Sequence, residues 1–312
     1  MNWKDKTVLV TGGTGSLGRA LVDLLLREYG PGGLVVLSRD ELKQHEMRRQ
    51  QGDTPRLRYV LGDVRDVSRL RQVFSGVDVV FHLAALKQVA SCEDNPIEAV
   101  KTNVLGAHNV AEAARDGGVE RVVSLSTDKA VNPVSAYGAT KLAAEKLILE
   151  ANRWGRTRFA CARCGNVLGS RGSVVEAFLE ERHRGRLTVT DPRMTRFWTT
   201  REAAVRLLLR VAEEMQGGEI FVPRLPSMKL LDLAHAVAPD CRVDVSGIRP
   251  GEKLHEVLLS EDEARYATEK GDLYVIRPPE RGNLPDGFRF ASDTNTRWLQ
   301  AEDVRSALPH DL

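Results

Sequence analysis

Short apolar runs alternate with helical spacing through the first half of the chain. Thr7–Thr11 (TVLVT), Leu34–Ser38 (LVVLS), Arg58–Leu61, Val77–His82 (VDVVFH), Val122–Ser126 (VVSLS) and Phe159–Cys164 read as six strands. Between them, Leu17–Arg27, Ile97–Arg115 and Val134–Asn152 carry helical spacing, and Glu41–Gln51 is helical and polar. Strands that are almost continuously apolar are covered on both faces, which points to a parallel sheet. The pattern predicts a doubly wound α/β fold over residues 1–165. After Asn166 the rhythm breaks. Val174–Arg184, Glu202–Met215 and Leu230–Ala238 read as helices among the short strands Leu187–Val189, Glu219–Val222 and Arg242–Val245. Loops such as DPRM, VPRLPSM, GIRPGEK and RPPERGNLPDG carry Pro and Gly. Residues 166–312 are expected to form a smaller, irregular lobe, with a diffuse boundary that the chain crosses back over.

Composition narrows the class. A chain of 312 residues, 42% hydrophobic, buries a core without disulfide or metal staples. The net charge of +2 gives no pull towards nucleic acid or anionic lipid. The longest apolar stretch, Val79–Leu86, falls far short of the roughly 18 residues of a membrane span. Lys4, Asp5 and Lys6 precede the first apolar run, unlike a signal peptide. A cytoplasmic protein without membrane or nucleic-acid partners is expected. Cys161 and Cys164 form a C-x-x-C, but on a strand positions i and i+3 face opposite sides and cannot share a metal or a disulfide. No metal site is expected.

Thr11–Gly18 reads TGGTGSLG and lies between the first strand and the first helix. This is the setting of a dinucleotide-binding (Rossmann) fingerprint. Gly12, Gly15 and Gly18 let the backbone turn and approach a pyrophosphate, with Thr14, Ser16 and Leu17 in the same loop and free helix N–H groups beyond. The second strand ends in Ser38-Arg39, where an NAD enzyme carries an acid for the ribose. A guanidinium there suits the 2′-phosphate of NADP, although Asp40 and Glu41 leave NAD open. Lys43 lies one turn on. Asp63, past the third strand, is placed to accept from the adenine amino group or to cap the next helix. Val64, Ala84, Lys87 and Val167, each past a strand end, complete the expected cofactor set.

Ser135–Lys141 reads SAYGATK. On a helix, Tyr137 and Lys141 share a face one turn apart. A nearby ammonium favours the phenolate, so this pair suits removal of a hydroxyl proton while hydride leaves the same carbon. Thr127-Asp128-Lys129 falls at the carboxyl end of the fifth strand, where open α/β sheets place their sites.

Together these residues resemble the extended short-chain dehydrogenase/reductase superfamily. In that likeness Tyr137 is the base, Lys141 its helper, and Thr127 orients the substrate hydroxyl. Thr-Asp-Lys, KAVNPVSAYGATK, SRDELKQ, AALKQV, GNVLGSRGSV, DPRMTRFW, GGEIFVPRLPSMK, GIRPGEKLHE and SDTNTRWLQAED are similar to one narrower family. These are the UDP-N-acetylglucosamine 4,6-dehydratases that also invert carbon 5, the first step towards pseudaminic acid. Two positions depart from it: Gln88, where relatives often carry His, and Cys164, where an aromatic usually precedes Gly-Asn-Val. The resemblance implies that Lys129 removes the carbon-5 proton, its own pKa lowered by burial and by Lys141, while a protonated Asp128 donates to the departing carbon-6 hydroxyl.

For the UDP-sugar, the resemblance implies contacts from Lys87, Lys129, Asn166, Arg171, Val175, Arg196, Arg249 and Glu252. Phe197 and Trp198 read as core rather than uracil stackers. It also implies a homo-oligomer, such as a hexamer. A retaining 4,6-dehydratase differs only in its product. A carbon-4 epimerase needs no acid or base beyond Tyr137, and an NADP-sensing regulator needs neither Tyr137 nor Lys141.

Overall fold

The computed structural model describes residues 1–52 and 54–308. The first half alternates as expected. β1 (Thr7–Thr11), β2 (Gly33–Ser38), β3 (Leu57–Leu61), β4 (Val79–His82), β5 (Arg121–Thr127) and β6 (Arg158–Cys164) are all parallel. Most of their residues are buried because helices cover both faces. On one face, α1 (Ser16–Leu24) packs Leu21 and Val22 against Leu208 and Leu209 of the helix Arg201–Glu214. On the other, Leu70 and Phe74 of Val67–Phe74 meet Val110 and Ala114 of Gly106–Asp116, with Ile148 of Ala136–Glu150 alongside.

The sheet does not stop at residue 165. The strand Ile220–Pro223 runs parallel beside β6, and Leu273–Ile276 and Ala267–Lys270 add two antiparallel strands at that edge. The result is nine strands. Other C-terminal elements form a small lobe with its own apolar core, which includes Phe178, Leu187, Trp198, Leu233 and Val304, while Leu258, Leu259, Ala264 and Phe290 join the core of the main sheet. Among the described residues no helix is long and apolar enough to cross a membrane.

The expected helix Ile97–Arg115 is broken. Pro96–Ala99 leads into a π-helical stretch, Val100–Leu105, before Gly106–Asp116 begins. The wider turn brings Asn103 inward. Its side chain exchanges hydrogen bonds with the backbone of Leu86 (2.8 and 3.0 Å) and donates to Thr140 (3.0 Å). The loop after β4 is thereby tied to the helix that carries Tyr137. The helices Val67–Phe74 and Val89–Asp94 were not expected from the pattern, being only eight and six residues long.

A fully buried arginine braces this scaffold. Arg163 on β6 donates to both carboxylate oxygens of Glu145 (3.0 and 2.9 Å), on Ala136–Glu150. It also donates to both oxygens of Glu263 (2.9 and 2.6 Å) and to the carbonyl of Leu258 (2.9 Å). Every guanidinium nitrogen is used, as a buried charge requires. Removing it strands two carboxylates in the interior. Arg163→Ala is expected to cost about 3–5 kcal/mol, measured by urea unfolding. A loss under 1 kcal/mol would show that water replaces the guanidinium.

Candidate active site

The carboxyl ends of the strands open into a cavity of about 1190 Å³ lined from both lobes. Its deep end is built by the turn after β1. Gly12 has φ +68°, and a Cβ there would lie 2.8 Å from the Ala84 nitrogen. A Cβ at Gly18 would lie 2.5 Å from the Gly12 carbonyl oxygen. Gly15 precedes α1 without a capping side chain, so first-turn N–H groups stay available to an anion. Thr11 Oγ1 meets His82 Nδ1 at 2.8 Å and accepts from the Leu83 and Ala84 N–H groups, which locks β1 to the loop after β4. This cradle fits a dinucleotide pyrophosphate.

Thr14, Ser16, Leu17, Ser38, Arg39, Asp40, Lys43, Asp63, Val64, Ala84, Lys87 and Val167 line the same cavity. Asp40 caps the helix Glu41–Gln51 through the Lys43 N–H (3.0 Å), and its carboxylate pairs with Lys43 Nζ at 2.6 Å. Arg39 stays exposed and loosely paired with Asp63 at 3.4 Å. Asp63 does not cap the next helix; Asp66 does, and Asp63 accepts from the backbone and side chain of Arg65.

At the centre, Thr127 closes β5 and caps a short 3-10 turn by accepting from the Lys129 N–H. That turn aims Lys129 into the cavity. Its Nζ donates to Asp128 Oδ1 (3.0 Å) and Asn166 Oδ1 (3.1 Å) and lies 3.4 Å from Glu256 Oε1. Asp128 is fully buried behind it and accepts from the Thr127 hydroxyl at 2.8 Å. Its Oδ2 has no hydrogen-bond partner among the described residues. Tyr137 and Lys141 share one face of Ala136–Glu150, and Lys141 Nζ donates to the Leu125 carbonyl at 2.7 Å.

The electrostatics correct two expectations. Burial does work against the Lys129 ammonium, but Asp128 and Glu256 outweigh it and hold the pKa above the usual lysine value; Lys141 contributes nothing marked. Burial also pushes Tyr137 up to about 12, although Lys129 and the Thr127 hydroxyl pull the other way. Burial, aided by Glu256, raises the Asp128 carboxyl despite Lys129.

The second lobe supplies Asn166, Arg171, Arg196, Arg249 and Glu252 to the cavity wall. The Arg171 backbone is stapled over the glycine turn: its N–H donates to Ser16 Oγ (3.2 Å) and its carbonyl accepts from Lys87 Nζ (2.5 Å). Gln88 reaches the neighbouring Gly172 carbonyl at 3.3 Å. Arg196 is buried and spends Nη1 on the carbonyls of Thr195 and Leu254 (2.8 and 3.1 Å). Val175 is not on the wall; it is fully buried in the apolar core of the second lobe. Phe197 and Trp198 are core residues, although Trp198 also touches the cavity. Cys161 packs in the core while Cys164 faces the cavity, as alternation along β6 dictates. Sequence reasoning missed Glu256. Its signal was an acid next to the apolar strand Val257–Leu259, inside the block GIRPGEKLHE.

Comparison with known proteins agrees with this layout. Residues 8–278 match the family described as polysaccharide biosynthesis protein. A UDP-N-acetylglucosamine 4,6-dehydratase (inverting) from Campylobacter jejuni is 45% identical, covering 98% of each chain. A UDP-glucose 4-epimerase from Rickettsia conorii is 41% identical, covering 97% of this chain and 95% of its own. The X-ray structure of Pen from Bacillus thuringiensis superposes with a TM-score of 0.92 at 36% identity, covering 98% of this chain and 97% of its own. DesIV, a dTDP-glucose 4,6-dehydratase from Streptomyces venezuelae solved with NAD and TYD bound, superposes with a TM-score of 0.71 at 25% identity, covering 80% and 86%. The chain belongs to the polysaccharide biosynthesis protein family, within the extended short-chain dehydrogenase/reductases.

Proposed function

We propose that this chain dehydrates UDP-N-acetylglucosamine across carbons 4 and 6 and inverts carbon 5, with NADP as its resident cofactor. The observation that carries the reading is the Lys129 amine in the cavity, 3.0 Å from a buried Asp128 and on the same wall as Tyr137.

In its phenolate form, which the Lys129 ammonium and the Thr127 hydroxyl favour against burial, Tyr137 takes the proton of the carbon-4 hydroxyl at its phenolic oxygen. A nicotinamide cofactor held by the glycine turn after β1 would supply a reversible hydride acceptor, for the oxidation that makes carbon 4 a ketone and the reduction at carbon 6. The ketone acidifies the carbon-5 hydrogen, and Lys129 Nζ removes it. Asp128 protonates the departing carbon-6 hydroxyl. The ion pair seen here is compatible with these roles. Moving one proton from Lys129 Nζ to Asp128 turns ammonium and carboxylate into amine and carboxylic acid, with no proton gained or lost by the pair. Burial of Asp128 and its unpartnered Oδ2 lower the cost of that transfer, which works against the hold of Asp128 and Glu256 on the Lys129 proton. Reprotonation of carbon 5 on its other face inverts it.

Arg39, exposed at the end of β2, is the donor for a 2′-phosphate. Arg171, Arg249 and Glu252 line the opposite wall and suit a diphosphate and ribose. A second reading, a UDP-sugar 4-epimerase, is favoured by the Rickettsia relative. An epimerase leaves Asp128 and Lys129 without work, and the product decides between the two.

Proton NMR of the purified protein with UDP-N-acetylglucosamine and NADP+ is expected to show a new methyl doublet, with ring couplings of the inverted carbon 5. A product that keeps its carbon-6 hydroxyl and changes only at carbon 4 would establish the epimerase. Lys129→Ala is expected to abolish exchange of the carbon-5 hydrogen with solvent deuterium; undiminished exchange would remove Lys129 from the base role. Arg39→Ala is expected to weaken NADP+ about 10- to 100-fold and NAD+ little, by fluorescence titration. Equal losses for both cofactors would contradict the 2′-phosphate contact.

A further inference from the structure

We infer that Glu256 is a positioning residue for the acid–base step: its carboxylate holds the Lys129 amine in place and keeps a shared proton on the Asp128–Lys129 pair. The inference rests on the reading of Lys129 as the carbon-5 base.

Glu256 is almost fully buried, yet its side chain reaches the cavity wall from the segment just before Val257–Leu259. A carboxylate is costly to bury unless it is paired. Three cations surround it: Lys129 on the turn after β5, Arg196 on the strand Thr195–Thr199, and Lys253 three residues before it in its own segment. Lys129 Nζ lies 3.4 Å from Oε1, Arg196 Nε 3.9 Å from Oε1, and Lys253 Nζ 3.5 Å from Oε2. Lys253 is itself fixed, since its Nζ donates to the Val131 carbonyl at 2.6 Å. The Glu256 N–H donates to Ser292 Oγ, and Ser292 and the ring of His255 both meet Thr195 Oγ1. The carboxylate is thus anchored from its backbone and from its flanks. Only Lys129 among its cations belongs to the acid–base turn.

Asp128 and Asn166 accept hydrogen bonds from the Lys129 ammonium, and Glu256 adds an ion pair at 3.4 Å. When Asp128 takes the proton, it stops being an anionic partner. Glu256 and Asn166 are then what keep the neutral amine from swinging into the open cavity. Lys129, Arg196 and Lys253 hold the Glu256 carboxyl below its ordinary value against burial, and the last two keep their charge when Lys129 gives up its proton. Its remaining charge raises the proton affinity of both Asp128 and Lys129. The pair therefore keeps its one proton further into alkaline solution.

The test compares wild type with Glu256→Gln and Glu256→Asp in the full chain. Acylation of Lys129 by acetic anhydride at pH 9, read by peptide mass spectrometry against exposed Lys4, reports the neutral amine without reference to any reaction. Glu256→Gln is expected to speed it about tenfold, the size of a lost neighbouring charge. Glu256→Asp keeps the charge and is expected to restore most of the wild-type rate. In turnover, Glu256→Gln is expected to lower kcat about tenfold or more, hold KM for the UDP-sugar within about threefold, and move the alkaline limb of the kcat profile to lower pH.

Unchanged Lys129 acylation in Glu256→Gln, or identical acylation in the Asp and Gln variants, would overturn the inference whatever the enzyme does. A wild-type protein that forms no 6-deoxy product, while Glu256→Gln still unmasks Lys129, would leave the positioning contact standing and remove the dehydratase reading.

Discussion

A single ammonium group, partly shut away from water, decides what this cavity is able to do. Burial alone favours a neutral Lys129. Two carboxylates at 3.0 and 3.4 Å reverse that preference. At such separations each unit pair is worth about 5 kcal/mol for an effective dielectric near 20, enough to outweigh partial desolvation of one amine. The charge is retained, but in a position where one short proton transfer neutralises both partners. The cavity lining as a whole carries more Lys and Arg (Arg39, Lys43, Lys87, Lys129, Lys141, Arg171, Arg196, Arg249) than Asp and Glu (Asp40, Asp63, Glu181, Glu252, Glu256). A cavity of that sign draws in a ligand with two phosphates.

Such a centre needs rigid support from parts of the chain far apart in sequence. Asp128 and Lys129 sit at the end of β5, Tyr137 on the following helix, Asn166 past β6, and Glu256 some ninety residues later. Arg163 links three of these regions, through Glu145 on the helix, its own strand, and Leu258 and Glu263 beyond Glu256. Asn103, turned inward by a π-helical stretch, joins the same helix to the loop after β4.

Five of the first six strands were legible because burial on both faces leaves an almost unbroken apolar run; β3, at the sheet edge, has no fully buried residue and showed only a short apolar end. β1 and the strand Arg242–Val245 begin and end where the pattern put them. Thr195–Thr199 escaped notice although all five residues are buried, because Thr and Arg mask the apolar signal and several of their polar groups find distant partners such as Ser292 and the Leu254 carbonyl. The edge strands at Ala267–Lys270 and Leu273–Ile276 are short and lie in a region rich in turns. In the site, glycine spacing and the Tyr-x-x-x-Lys pair are local and therefore readable. Glu256 was not, since two of its three cations, Lys129 and Arg196, are distant in sequence and meet it only in space. Val175 was misplaced for a related reason: an apolar residue beside a binding loop faces either the ligand or the core, and nothing local distinguishes the two.

Tyr137, Lys141 and Glu145 recur at intervals of four, so all three fall on one broad face of their helix. Arg163 grips the last of them from β6. The grip acts as a peg two turns away from the reacting sugar, setting the rotational phase of the whole rod. Residues in the Thr-Asp-Lys turn are then free to be exchanged without rotating the phenol out of register. One framework of this kind accommodates different nucleotide-sugar chemistries by altering a tripeptide while its hydride geometry stays fixed.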